Sequence, residues 1–495
     1  MTVVDRHVAR AALVDLADQA AQTSLDPPDL SQVYAPSRHG KALRPDVAVV
    51  VGMRGAGKSL WTAVLANEEC RQFVAQQLAS ASLENTVVRV GFGLDDSQRD
   101  FPNPEGLQEL MKEGAQPVDV WRTVVLRHAL EVTGNRPADD QSAAPALAGS
   151  WPERVHWFSR DREQAERLLT NANEELQRQG RVLLVLFDAF DRAARDWPTV
   201  REWTRGALEV ALRLQMTRAI RAKLFIRPDL DEDDEVWRFA DSSKLRHNQV
   251  NLEWTTADLY GLLFSHLGNH SSFGKEFRDA TALAFGESWR EERGVQILPQ
   301  SLKNAEHQQK VIEWLADTYM GRGPKRGYTS SWIPLHLADA KGRLSPRSYL
   351  LAFKRAAEHM VEKNPDYHLA LNYRSIQEGV VEASRVRVAE IAEDYPWIRP
   401  LFEALRGIAV PVSTEDLRQR WSDQAMSEME EAIGDKLPPR RYHTDSLRRR
   451  TREALVDDLE GLGVVYRTHD ERINIPDIFR VGFGIRRKGG VRPPR

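Results

Sequence analysis

One cysteine, Cys70, in 495 residues leaves this chain without an internal disulfide framework or a cysteine-rich zinc site. That usage fits a reducing, cytoplasmic setting, with Cys70 read as a small residue in the helix after a glycine-rich turn. No apolar run approaches the roughly 20 residues that a membrane-spanning helix needs. The start, "MTVVDRHVARAALVDLADQAAQ", lacks a basic leader ahead of a continuous apolar core, so neither a signal peptide nor a membrane partner is expected. An excess of one charge is missing too: 69 basic residues against 72 acidic ones leave −3. Nucleic acid or an acidic surface must therefore be recognised, if at all, by local patches. There is no internal repeat, and the length calls for two to four domains.

What is present begins with five β-branched or aromatic runs: "VAVVV" at 47, "TVVRVGF" at 86, "RVLLVLF" at 181, "AKLFI" at 222 and "QVNLEW" at 249. Helix-like stretches such as 118–132 and 162–180 separate them, which is the pattern of a covered parallel sheet. Residues 136–151 read as a loop. Residues 7–21 suit an amphipathic helix with Val8, Ala11, Ala12, Leu13 and Leu16 on one stripe, packed on the protein or on another copy of it.

The first run leads into "VVGMRGAGKSLW". Gly52, Gly57, Lys58 and Ser59 satisfy G-x-x-x-x-G-K-[ST], between a hydrophobic strand and the helix-compatible "LWTAVLANEECRQFV". The stretch Gly52, Met53, Arg54, Gly55, Ala56, Gly57, Lys58, Ser59 and Leu60 is expected to wrap a polyphosphate with backbone N–H groups and a helix N-terminus. Lys58 adds a full charge, and the Ser59 hydroxyl is placed for Mg²⁺. In "RVLLVLFDAFDR" a hydrophobic strand ends at Asp188, which can reach the Mg²⁺ shell, and Asp191 follows three residues later as a candidate to polarise water.

With "LVLFDAFDR" quoted, the chain resembles the additional-strand P-loop ATPases, in the AAA-like branch that includes the STAND and KAP groups, over about residues 45–350. The resemblance implies an α/β fold: a P-loop NTPase parallel sheet of order 5-1-4-3-2, with "AKLFIRPDL" inserted between the two motif strands. "VVGMRGAGKSLW", "FDAFDR" and "FIRPDL" are also similar to segments of bacterial P-loop ATPases of about this size. That likeness implies ATP and Mg²⁺ as cofactors, and a setting in phage defence or stress signalling. It also implies that Arg227, at the end of the fourth strand, senses the γ-phosphate, and that Arg347, in "GRLSPRSYLLAF", is the lid arginine that reports the nucleotide state. Arg227 reads equally well as a surface partner of Asp229 or Asp231. Self-association is expected, because such sites borrow an arginine from a neighbour; Arg238 and Arg246 lie in the right stretch and also read as plain surface.

The expected organisation is a helical lead-in over 1–44, a P-loop ATPase core over 45–254, a helical lid over 255–375, and a winged-helix-like domain with a basic tail over 376–495. Thr255 or Thr256 caps the first lid helix. His266 and His270 share helical spacing without a third ligand, and "DLDEDDE" at 229–235 reads as a solvated loop. In the last domain "PVSTEDLRQRW" and "TDSLRRRTREALVDDLEGLG" read as helices, and "VVYRTHDERINIPDI" as a hairpin around His469 and Asp470. Arg448, Arg449, Arg450 and Arg452, with the tail "IRRKGGVRPPR", can neutralise phosphates. Acidic neighbours (Asp445, Glu453, Asp457, Asp458 and Glu460) tilt the reading toward a protein effector or an intramolecular contact, with DNA as the alternative. The reading is thus a cytoplasmic, self-associating switch ATPase that relays its nucleotide state to a partner. Its alternatives are a DNA-binding ATPase similar in plan to initiators or loaders, and a nucleotide-gated scaffold without turnover. No N-K-x-D string calls for guanine.

Overall fold

The computed structural model describes residues 4–16, 26–94, 99–134, 143–444 and 451–488. The chain divides into two compact units, Ala21–Leu252 and Met1–Ala20 together with Glu253–Arg495.

The first unit is built on the five expected strands: β1 (Val49–Val51), β2 (Thr86–Phe92), β3 (Val182–Phe187), β4 (Ile220–Ile226) and β5 (Val250–Asn251). They form one sheet in the order β2-β3-β4-β1-β5, with every neighbouring pair parallel. This is the 5-1-4-3-2 order of an additional-strand P-loop NTPase. β3 is an unbroken apolar run and β4 is buried over most of its length because helices cover the sheet, and the helix Pro117–Val132 packs on both β2 and β3. Parallel strands bring their C-terminal ends to one edge. The register sets Val51 opposite Ile226 and Phe187 opposite Leu224, so Gly52, Asp188 and Arg227 emerge side by side.

The helix expected after the glycine turn is two helices, Lys58–Ala66 and Glu68–Gln77. Asn67, in extended conformation, ends the first and caps the second by accepting from the Cys70 backbone N–H at 2.9 Å. Cys70 therefore lies in the second helix, buried, with its thiol against the Pro28 carbonyl. Part of the expected 136–151 loop lies outside the described residues; its remainder holds a short helix, Ala144–Leu147, and Ser150, which caps Trp151–Arg160.

In the second unit the N-terminal helix spans Arg6–Val14 and buries Ala9, Arg10, Ala12 and Leu13, whereas Ala11, expected on the apolar stripe, is exposed. Arg10 explains the rotated face: its guanidinium donates to the carbonyls of Pro365, Leu369 and Ala370 at 2.8, 2.9 and 3.0 Å. Those carbonyls follow the helix Pro346–Lys363, on which the N-terminal helix packs. The helix Thr256–Asn269 begins with Thr255 and Asp258 in a reciprocal cap. Tyr373–Asp394 runs alongside Pro346–Lys363 and across position 375.

Beyond it lies a winged helix. Thr414–Arg420, Asp423–Ile433, Arg440–Thr444 and Arg452–Leu462 precede a hairpin of Tyr466–Arg467 with Ile473–Asn474. Val412, ahead of these helices, makes an isolated antiparallel bridge to Ile473, which ties that segment to the wing. The last of these helices starts at Arg452, with Thr451 as its cap; Arg448, Arg449 and Arg450 lie outside the described residues, as does the tail past Lys488. No helix among the described residues is long and apolar enough to cross a membrane.

Candidate phosphate-binding site

The glycine turn is anchored to the end of β4 and closed by a bond within itself. Gly52 N–H donates to the Ile226 carbonyl at 3.0 Å, and Ala56 N–H to Met53 at 3.1 Å. Gly57 takes φ +98° as the residue before the helix Lys58–Ala66, a left-handed conformation that a side chain would strain. The first-turn N–H groups of that helix, which lack intrahelical acceptors, point out of its N-terminus. A Cβ on Gly52 would lie 3.1 Å from Lys58 Cγ, so a side chain there would crowd the lysine stem that lies over the turn. Lys58 Nζ donates to the Gly52 and Met53 carbonyls at 2.7 and 3.2 Å.

Asp188 follows β3 and is buried. Its geometry is fixed by the two residues after it. Ala189 adopts φ +55°, a left-handed conformation costing roughly 1 kcal/mol for a residue with a Cβ, and Phe190 then plunges into the core. There it stacks on Phe187 and Phe92 and meets the edge of Trp121, whose indole donates to the Trp203 carbonyl at 2.9 Å. Burying the aromatic between the two aspartates thus holds the tight turn, with Asp188 inside and Asp191 half-exposed.

Asp188 Oδ2 accepts from Thr62 Oγ1 at 3.3 Å, and the Ser59 hydroxyl also bonds the carboxylate. Asp188 Oδ1 is buried without a hydrogen-bond partner. Burial pushes the Asp188 carboxyl up and the Lys58 ammonium down, and each opposes the other's shift. An orphaned carboxylate oxygen beside a serine hydroxyl is a hard-oxygen donor set that fits Mg²⁺. Thr62 was missed by sequence reasoning; its place one helical turn after Lys58, on the side facing β3, was the available signal.

Arg227 leaves β4 beside the same site. Its Nη2 donates to Asp229 Oδ2 at 2.7 Å, and its Nη1 lies 3.7 Å from Asp191 Oδ2. Lys58 feels the charges of Asp188, Arg227, Asp191 and Asp229 together, so these groups share one electrostatic neighbourhood. Arg347 belongs to the other unit, at the start of Pro346–Lys363 after the Ser345 cap; its Nη1 pairs with Glu390 Oε1 at 2.6 Å. Arg238 pairs with Glu235, and Arg246 lies over the Trp237 ring. His270 faces Asp15, and no cluster of three metal-ligating side chains occurs among the described residues.

No protein-family model matches the chain, and no curated protein matches it. Among solved structures it is similar to the Aeropyrum pernix ORC1 protein in complex with DNA, at 15% identity and TM-score 0.34 over 93% of this chain and 94% of that one. It is also similar to the Aeropyrum pernix ORC2 protein in ADPNP–ADP complexes, at 13% identity and TM-score 0.30 over 90% and 93%. Strand order and the glycine cradle, rather than these low overall scores, define the fold.

Proposed function

We propose that the chain is a Mg²⁺-dependent ATPase that passes its nucleotide state to a partner. The observation that carries this is the unpartnered, buried Asp188 Oδ1 beside Ser59, at the mouth of a helix N-terminus that Lys58 overhangs. The backbone N–H groups of the cradle bind the polyphosphate, and Lys58 trades two loop carbonyls for β- and γ-phosphate oxygens. Ser59 and Asp188 would hold Mg²⁺, which when bound neutralises charge on those oxygens. Asp191 orients the attacking water, and Arg227 faces the charge that spreads onto the leaving γ-phosphoryl group. The assignment of Arg347 as a nucleotide-sensing arginine rests on the family resemblance; its guanidinium pairs with Glu390. The STAND and KAP groups, and the phage-defence setting, rest on resemblance alone; unchanged phage sensitivity in a deletion strain would dispose of that setting.

Two partner classes follow from the winged helix. Its order of strand, helices and hairpin is that of a module that docks on DNA, which favours the initiator- or loader-like reading. The second observation favours a protein partner: the helix Arg452–Leu462 carries Glu453, Asp457, Asp458 and Glu460 against one arginine. Duplex DNA would therefore be gripped by the flanking basic segments.

ATP turnover and solution mass, measured with and without Mg²⁺, duplex DNA and Lys58→Ala, test the reading. Turnover lost in the variant and raised by DNA supports the initiator-like form. Turnover with ATP-driven assembly but indifferent to DNA supports the protein-directed switch. Tight ATP binding with no turnover in any condition leaves the scaffold.

A further inference from the structure

Residues 318–338 carry no acidic side chain, although the whole chain has 72 acidic residues against 69 basic ones. The front of that stretch, "YMGRGPKRGY" at 319–328, folds back on itself as a hairpin. Tyr319 and Tyr328 bridge antiparallel with ring centroids 5.0 Å apart. Met320 N–H donates to the Gly327 carbonyl at 3.0 Å, and Thr329 N–H to the Thr318 carbonyl at 3.0 Å. Gly323 and Gly327 take φ +91° and +88° with extended ψ, a conformation that belongs to glycine, and Pro324–Arg326 make one tight turn between them. Asp317, just ahead of the hairpin, is spent on the body of its unit: it accepts from the Tyr367 hydroxyl at 2.7 Å and the Tyr373 N–H at 2.9 Å. Arg322, Lys325 and Arg326 are exposed, and among the described residues none of the three pairs with a carboxylate.

We propose that this hairpin docks on the phosphate backbone of duplex DNA, as a contact separate from the winged helix, with Arg322, Lys325 and Arg326 each neutralising a phosphate. The proposal rests on the DNA-binding form of the reading above and not on the nucleotide site. Charge complementarity selects the occupant first: three unpaired cations within five residues match the dense charge of a duplex, one per about 1.7 Å of axis. Glycines between and beside the cations carry no side chain, so backbone N–H groups can come close to phosphate oxygens. The two tyrosine rings pack against each other rather than standing out as a platform for the unstacked bases of a single strand. Gly321–Gly327 also offers no large apolar side chain to enter a lipid surface.

Duplex affinity of the full-length chain, followed by fluorescence anisotropy at several salt concentrations, tests this. The wild type is compared with the triple variant Arg322→Gln, Lys325→Gln and Arg326→Gln, which keeps the side-chain stems and removes the charges. The slope of log affinity against log salt should flatten by up to about 3, and affinity at about 0.1 M salt should fall at least about 10-fold. The melting midpoint and the ATP turnover without DNA should not move, because the three side chains are exposed and lie outside the nucleotide site. A control removes the same charge at the exposed Lys112, Arg160 and Lys436, each changed to Gln, and should leave the slope as it is. Duplex binding with an unchanged slope in the hairpin variant, or equal flattening in the control, overturns the hairpin contact and leaves the DNA-binding form standing. No duplex binding by the wild type at any salt overturns both and leaves the ATPase untouched. Wild-type binding to phosphatidylserine vesicles that the hairpin variant loses, with duplex binding unaltered, gives the hairpin to a membrane surface and overturns the proposal.

Discussion

Strand β1 carries a lysine-bound loop at each end, and the two loops are held differently. Ahead of it, Lys223 on β4 reaches over with no solvent exposure and donates to the carbonyls of Ala42, Arg44 and Val47 at 2.7, 2.9 and 2.6 Å. Behind it, Lys58 donates to two carbonyls of its own turn and lies in the field of three aspartates and an arginine. Three acceptors match the three protons of an ammonium, so Lys223 has nothing left to bind. Lys58 is held by two carbonyls of its own turn, which in the proposed site it exchanges for phosphate oxygens. The same residue type thus builds a fixed joint at one end of the strand and an exchangeable contact at the other.

Substituting each lysine is the strongest way to break that contrast. Lys58→Ala should lower ATP turnover at least about 100-fold, the scale of losing a charge-stabilising group in a phosphoryl-transfer site, with little change in melting temperature. Lys223→Met should strip the ammonium from three loop carbonyls, of which Arg44 keeps the Val47 N–H, and cost about 3 kcal/mol. In a unit of this size that lowers the midpoint by roughly 6–12 °C in thermal denaturation. If Lys223→Met instead spared stability and abolished nucleotide binding, the fixed joint would have been misread.

A pH series sharpens the same contrast. Burial pushes the Lys223 ammonium down from 10.5 to about 7. Between those values the unfolded chain holds a proton that the folded chain has released, so the Lys223 contribution to stability rises with pH, by up to about 1.4 kcal/mol per unit. Below about pH 7 both states are protonated and the contribution is flat. The stability difference between wild type and Lys223→Met, followed by denaturant unfolding from pH 6 to 9, should therefore be level at first and then climb. A difference that stays level across pH 7–9 would mean that the three carbonyls hold the lysine charged well above 7.

The exchangeable end was legible in the sequence and the fixed end was not. Gly52, Gly57, Lys58 and Ser59 form a string because consecutive backbone positions must curl around one ligand, and β3 announces Asp188 by ending an unbroken apolar run. The strand order was implied by the family resemblance that those motifs carry. Lys223 gave no signal, since its three acceptors come from a turn some 180 positions earlier. Asp229 looked like part of a solvated acidic loop, whereas the turn after β4 folds it inward onto Arg227. On the N-terminal helix, periodicity pointed to Ala11, but the reach of Arg10 to carbonyls near residue 370 turned a different face inward. For Lys223 and Arg10 the deciding partners are distant in the chain, and local pattern carries no trace of them.

The smallest effect lies in the winged helix, where the fixed-versus-exchangeable distinction applies to arginines. Arg452 pairs with Asp423 at 3.1 Å, Arg441 lies 3.5 Å from Asp457, and Arg467 bridges Asp457 and Glu460, so these cations are spent within the module. A cation already bound to a carboxylate releases fewer counterions when it meets DNA. Arg452→Ala is accordingly expected to change duplex affinity less than about 2-fold and to leave the salt dependence intact. Replacing Arg448, Arg449 and Arg450 together should flatten the slope of log affinity against log salt by up to about 3. Both slopes come from fluorescence anisotropy titrations at several salt concentrations. A flattened slope with Arg452→Ala alone would place the described helix, with its four acids, directly on the phosphate backbone, and the flanking segments would lose their assigned role.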